Sequence, residues 1–90
     1  MNIVWIEEAW QDFQSFLEDN DKISYKKILS LIKDIKQNGA DKGSGKPERL
    51  KHELNSYYSR EINKKDRLVY RIDSEGTLHI IQCKTHYQKI

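Results

Sequence analysis

At 90 residues the chain has room for one domain, taken as 1–90. Hydrophobic residues make up 37% and charged residues 33%, so the core is small. The absence of an apolar run of about 18 residues excludes a membrane-spanning helix, and the single cysteine, Cys83, excludes an internal disulfide and fits a reducing cytoplasm. The N-terminus, Met1-Asn2-Ile3-Val4-Trp5, lacks a basic and then apolar leader pattern, so no secretory signal is expected. The net charge of +2 is unevenly spread: residues 1–41 carry −3 and residues 42–71 carry +5. A localised positive field attracts phosphate, of which nucleic acid is the commonest macromolecular form.

Asn2 to Trp5 is short and β-prone and predicts a first strand. From Ile6 the period changes. Ile6, Ala9, Trp10, Phe13, Phe16 and Leu17 recur at helical steps, with Glu7 and Glu8 where the helix dipole favours anions. Asp19-Asn20-Asp21 breaks the pattern and can cap a second helix. Its apolar stripe is Tyr25, Ile28, Leu31, Ile32 and Ile35, and Asn38-Gly39 ends it. The aromatic members of both stripes are expected in the core.

Residues 39–47 hold three of the four glycines and the only proline, which predicts a loop. It is not a phosphate-binding P-loop, because Gly45-Lys46 runs into Pro47 and follows a helix rather than a strand. Beyond it, strands are expected over Tyr57 to Asn63, Arg67 to Ile72 and Thr77 to Lys84, joined by short turns at Lys64-Lys65-Asp66 and Asp73-Ser74-Glu75-Gly76. Short turns imply antiparallel pairing. The order β-α-α-β-β-β predicts an α+β domain with two helices packed on one face of an antiparallel sheet.

The basic half contains Glu48, Lys51, His52, Arg60, Arg67, His79, His86 and Tyr87. RNA cleavage by 2′-hydroxyl attack needs a base, cations around the phosphorane, and an acid for the leaving 5′-oxygen. These side chains permit that chemistry without identifying it. Parity along a strand puts His79 and Cys83 on one face, near His86. Zinc sites show paired ligands at tight spacing, however, and no second cysteine exists. Cys83 reads more simply as a small buried hydrophobe. Neither helix shows a helix-turn-helix pattern, and the helical half is acidic, so a DNA-binding regulator is disfavoured.

Taken in order, Asn2-Ile3-Val4-Trp5 with Glu7-Glu8-Ala9-Trp10, Gly45-Lys46-Pro47-Glu48-Arg49-Leu50-Lys51-His52, Tyr58-Ser59-Arg60, Asp66-Arg67-Leu68-Val69-Tyr70 and His86-Tyr87 resemble the YoeB/Txe family of toxins in the RelE-like superfamily. The resemblance spans essentially the whole chain. It implies a RelE-like fold and a type II toxin that cuts messenger RNA in the ribosomal A site, with no metal or other cofactor. By similarity Glu48 takes the general-base position, His86 the general-acid position and Arg67 the position at the scissile phosphate. Lys51 and Tyr87 match supporting positions at the phosphate and the stacked base, and Lys46 and Arg60 are further expected phosphate contacts. A cytoplasmic location, a YefM-like antitoxin partner, the ribosome with its mRNA, and a homodimer are implied in the same way. Two departures stand out. Arg60-Glu61 replaces the two successive arginines common in the family, and Gln88-Lys89-Ile90 extends past the tyrosine. A non-catalytic interaction module of the same fold is the competing expectation. Glu61 speaks for it, and the acid–base pair speaks against it.

Overall fold

The computed structural model describes residues 1–85. Strand β1 (Ile3–Trp5) leads into helix α1 (Glu7–Glu18) and helix α2 (Lys22–Asn38). The loop after α2 is followed by β2 (Glu48–Arg49), a 3-10 turn at His52–Leu54, β3 (Tyr58–Glu61), β4 (Arg67–Ile72) and β5 (Leu78–Gln82). The β-α-α-β-β-β order is present, with the two-residue β2 and the 3-10 turn as elements the pattern had not shown. The five strands form one sheet in the order β1-β5-β4-β3-β2. Neighbours from β5 to β2 are antiparallel, as their short turns dictate, but β1 pairs with β5 in parallel. The sheet is therefore mixed, because α1 and α2 carry the chain away before it returns.

Both helices lie on one face of the sheet. Ala9, Phe13 and Phe16 of α1 and Ile28, Leu31, Ile32 and Ile35 of α2 meet Leu68, Tyr70, Leu78 and Ile80 in the core. Phe13 lies between Trp5 and Tyr25, with ring centroids 4.8 and 4.5 Å away. Offset stacking of this kind adds to the burial of the rings. Trp10 departs from the expected core stripe: it is 44% exposed, as are Ile6 and Leu17, and its ring meets Trp5 edge-on at 5.5 Å. Asp21 caps α2 through Ser24 N, 3.0 Å away. No helix among the described residues is long and apolar enough to cross a membrane.

A register shift between Val69 and Tyr70 skips Ile81 on β5, since Val69 faces Gln82 and Tyr70 faces Ile80. One extra residue reverses side-chain parity. His79 therefore points to the face without helices, whereas Cys83 is fully buried and donates to Ala9 O at 3.4 Å. The shared face expected for these two residues does not exist. Burial pushes the Cys83 thiol up to about 12, which suits a core filler rather than a ligand or nucleophile.

The β4–β5 turn is closed by Asp73. One carboxylate oxygen accepts from Glu75 N and Thr77 N at 2.9 and 3.0 Å, and the other meets His79 Nε2 at 2.8 Å. The hydrogen bond from His79, reinforced by the turn amides, pulls the Asp73 carboxyl down to about 2. Arg60, then the Ser44 amide, lowers Asp34 in the same direction. Both folded-state values lie below the unfolded value of about 3.9, so their contribution is complete above that pH. It is lost as pH falls through the folded values. Urea midpoints are expected to drop between about pH 4 and about pH 2, and Asp73→Asn is expected to flatten that decline. A profile unchanged by the substitution would remove Asp73 from the account.

Candidate active site

The sheet face opposite the helices carries Glu48 and Arg67, two of the groups expected in the site. In β4, Leu68 and Tyr70 point into the core, so Arg67, Val69 and Arg71 point the other way. Register then brings Glu61 opposite Arg67, Ser59 opposite Val69, and Glu48 opposite Ser59. Paired residues share a face. Glu48, Ser59, Glu61 and Arg67 are thus assembled by strand pairing alone, across three strands.

Arg67 is the hub. Its Nε donates to Ser59 Oγ at 2.8 Å, and one terminal nitrogen, Nη2, donates to Lys46 O at 3.2 Å and Ser59 O at 3.3 Å. The same nitrogen lies 3.6 Å from Glu48 Oε1, and its other terminal nitrogen, Nη1, lies 3.7 Å from Glu61 Oε2. Lys46 Nζ lies 3.8 Å from Glu61 Oε1. Neutral groups hold the guanidinium in place, while two carboxylates share its charge. Side-chain exposure is 71% for Glu48, 45% for Glu61 and 31% for Arg67. Ion pairs this open contribute about 0–1 kcal/mol and give way readily to a better anion. Lys46 itself has a positive φ of 53°, backbone strain set beside the cluster.

Lys51 is exposed; its carbonyl accepts from Leu54 N at 3.2 Å, while its ammonium group has no ion pair or hydrogen bond among the described residues. Arg60 is a correction. It was expected to contact phosphate, but it lies on the core face opposite Leu68 and is 0% exposed. Nε donates to Tyr70 Oη at 2.9 Å, Nη1 to Ser44 O at 3.0 Å and to Asp34, and Nη2 to Gly39 O and Lys42 O at 2.8 and 2.6 Å. A guanidinium has five N–H donors, and all are used. Arg60 is the post around which the glycine-rich loop is wound. A Cβ at Gly43 would strike Asp34, and one at Gly45 would come within 2.7 Å of Leu31 Cδ2, so both positions require glycine beyond their positive φ.

His86 and Tyr87 lie outside the described residues. The chain up to them is anchored: Thr85 N donates to Asp66 Oδ1 at 2.8 Å, and Thr85 Oγ1 donates to Lys65 O at 2.8 Å. Asp66 immediately precedes Arg67. Ser59, which orients Arg67, and Asp66, which ties down the last strand's exit, were not singled out as site residues. The only sequence signals for them were their places inside the motif blocks. Among the described residues no cluster of three or more His, Cys, Asp or Glu side chains could hold a metal ion.

Fold and site together define a small helix-on-sheet protein whose bare sheet face displays a fixed guanidinium between two carboxylates. The family model for the YoeB-like toxin of bacterial type II toxin-antitoxin systems matches residues 5–87. Toxin YoeB of Escherichia coli K12 is 41% identical over 87 residues, covering 97% of this chain and all of that protein. The crystal structure of a heterotetrameric YoeB-YefM toxin-antitoxin complex from Staphylococcus aureus contains a chain with 47% identity and a TM-score of 0.88, covering 97% of this chain and 98% of that one. A YoeB dimer structure from the same organism gives 47% identity and a TM-score of 0.86 at the same coverage. The chain belongs to the YoeB-like family of type II toxins.

Proposed function

We propose that this toxin is a ribosome-dependent endoribonuclease that cuts mRNA in the A site. The observation that carries the proposal is the exposed Glu48–Arg67 pair, with Arg67 immobilised by Ser59. Glu48 takes the 2′-hydroxyl proton, and the 2′-oxygen attacks the adjacent phosphorus. Arg67 turns from the carboxylates to the non-bridging oxygens as charge builds on them. His86 gives its proton to the departing 5′-oxygen, leaving a 2′,3′-cyclic phosphate and a 5′-hydroxyl. Support for His86 in that role is the hydrogen bond that anchors Thr85, the residue before it, to Asp66, the residue before Arg67. Tyr87 stacks a base, and Lys46 and Lys51 meet flanking phosphates. The partner proposed is an antitoxin of the kind that accompanies the Staphylococcus aureus relative, the oligomer proposed is a homodimer, and the location proposed is the cytoplasm.

Primer extension on a message translated by purified ribosomes tests this directly. Cuts are expected within the A-site codon and not on the same RNA free in solution. Equal cutting of free RNA, or none on ribosomes, would overturn the proposal.

A second reading is an attenuated toxin or binding module, favoured by the Glu61 contacts to both Lys46 and Arg67. A fixed negative charge there competes with phosphate for both cations. Glu61→Arg is expected to raise cleavage about fivefold to tenfold at low salt, with a smaller gain as screening increases. An unchanged or slower rate would show that Glu61 does not restrain the site.

A further inference from the structure

Three arginines on β3 and β4 stand in three different states. Arg60 has every donor satisfied in the core. Arg67 is held by Ser59 and shared between Glu48 and Glu61. The guanidinium of Arg71, on the bare face with Arg67, has no hydrogen bond or ion pair among the described residues. Its guanidinium carbon lies 6.0 Å from the centroid of the Tyr57 ring.

The neighbours explain why Arg71 stays uncommitted. Directly across the β4–β5 ladder is His79, whose Nε2 meets Asp73. Asp73 is the acid two residues along, and its oxygens are taken by His79 and the turn amides Glu75 N and Thr77 N. On the other side, Tyr57 is fixed just ahead of β3: its amide donates to Leu54 O and its carbonyl accepts from Leu50 N, each at 2.9 Å. The ring is half-buried and offers one aromatic surface beside a cation with open donors.

We propose that Tyr57 and Arg71 form a second nucleotide subsite, which holds a residue of the single-stranded message flanking the scissile linkage. The inference rests on the RNA-cleaving reading above. Single-stranded RNA is bound by pairing aromatic platforms for bases with cations for the backbone. Arg71 can stack against a base and direct its planar fork at a phosphate, which lysine cannot do. Arg67 and Arg71 are four residues apart on one strand, about 13 Å along a continuous face, so a strand of RNA lying on the sheet can meet both. A protein partner would also find the patch, but open guanidinium donors beside a lone ring match a nucleotide better than an apolar side chain.

The test uses the intact toxin on programmed ribosomes, comparing wild type with Arg71→Gln, Tyr57→Ala and Tyr57→Phe. The first two variants are expected to raise KM about tenfold with kcat within about twofold, and Tyr57→Phe to match wild type because it keeps the aromatic face. Arg71→Gln is also expected to make the salt dependence of binding shallower by about 0.7 in log–log slope, the loss of one phosphate contact on a single strand. Unchanged KM in Arg71→Gln and Tyr57→Ala, with wild type active, overturns the subsite alone. Normal cleavage with weakened antitoxin binding also overturns it and marks a protein-docking patch. Wild type without RNA cleavage removes the underlying reading and the subsite with it. Should Tyr57→Ala fail to fold, Arg71→Gln carries the test, since that side chain is part-exposed and lies outside the core cluster.

Discussion

Arg60→Met is expected to unfold much of the protein at physiological temperature. The substitution leaves an aliphatic side chain of similar length but removes the donors to Asp34, Tyr70 and the carbonyls of Gly39, Lys42 and Ser44. Removing one partner from a buried, hydrogen-bonded ion pair costs about 3–5 kcal/mol, because the groups left behind keep their desolvation cost. A chain of this length has about 0.05–0.15 kcal/mol of stability per residue, so the loss is a large share of the total. Circular dichroism should show the melting midpoint falling by about 12–40 °C, at about 4–8 °C per kcal/mol. A fall of less than about 4 °C would mean that water replaces the guanidinium without strain. Were Arg60 a phosphate contact, the substitution would raise KM and leave the melting curve in place.

Glu48→Gln is expected to do the reverse: leave the fold untouched and remove the chemistry. The Glu48 side chain is 71% exposed, and its pairing with Arg67 is loose at 3.6 Å. Losing such a pair changes stability by about 1 kcal/mol at most. Glutamine keeps the shape but cannot accept the 2′-hydroxyl proton, and loss of a positioned general base typically costs about 100- to 10,000-fold in rate. Single-turnover cleavage on ribosomes, with a melting curve of the same preparation, separates the two effects. An unchanged cleavage rate in a folded variant would show that Glu48 is not the base, and Glu61, the other carboxylate on Arg67, would then be the group to replace.

Much of this architecture could be read from the sequence where the signal is periodic and local. The two helical stripes and the Arg67 to Ile72 strand appear at or close to the expected bounds. The Glu48–Arg67 association is legible only through family resemblance, since no local pattern links residues on strands that are not neighbours in the sheet. What escaped was non-local. Short turns identify antiparallel neighbours, but nothing near Ile3–Trp5 announces its parallel partner more than seventy residues later. Alternation puts Arg60 on the face of Tyr58 and Ile62, which is the core face, but a cation there reads as a phosphate contact until its buried partners are known. Its inward placement depends on Asp34 on α2, 26 residues earlier, and on backbone carbonyls that carry no sequence signal. Strict alternation puts Cys83 on the face of His79, and the skipped Ile81 breaks that alternation. Trp10 sits on the edge of its stripe, where only the width of the sheet decides how much of the ring is covered.

The parallel pairing of β1 with β5 has a consequence for biosynthesis. Among the described strands, β1 pairs only with β5, which is made more than seventy residues later. At about 5–20 residues per second, β1 waits several seconds with its backbone unpaired while the rest is translated. The glycine-wrapped loop and the β3–β4 ladder that assembles the acidic and basic groups can form earlier, but the core remains open on the β1 side. Closure of this sheet is thereby deferred until β5 has been made, an interval in which a partner already present in the cell could reach the open core.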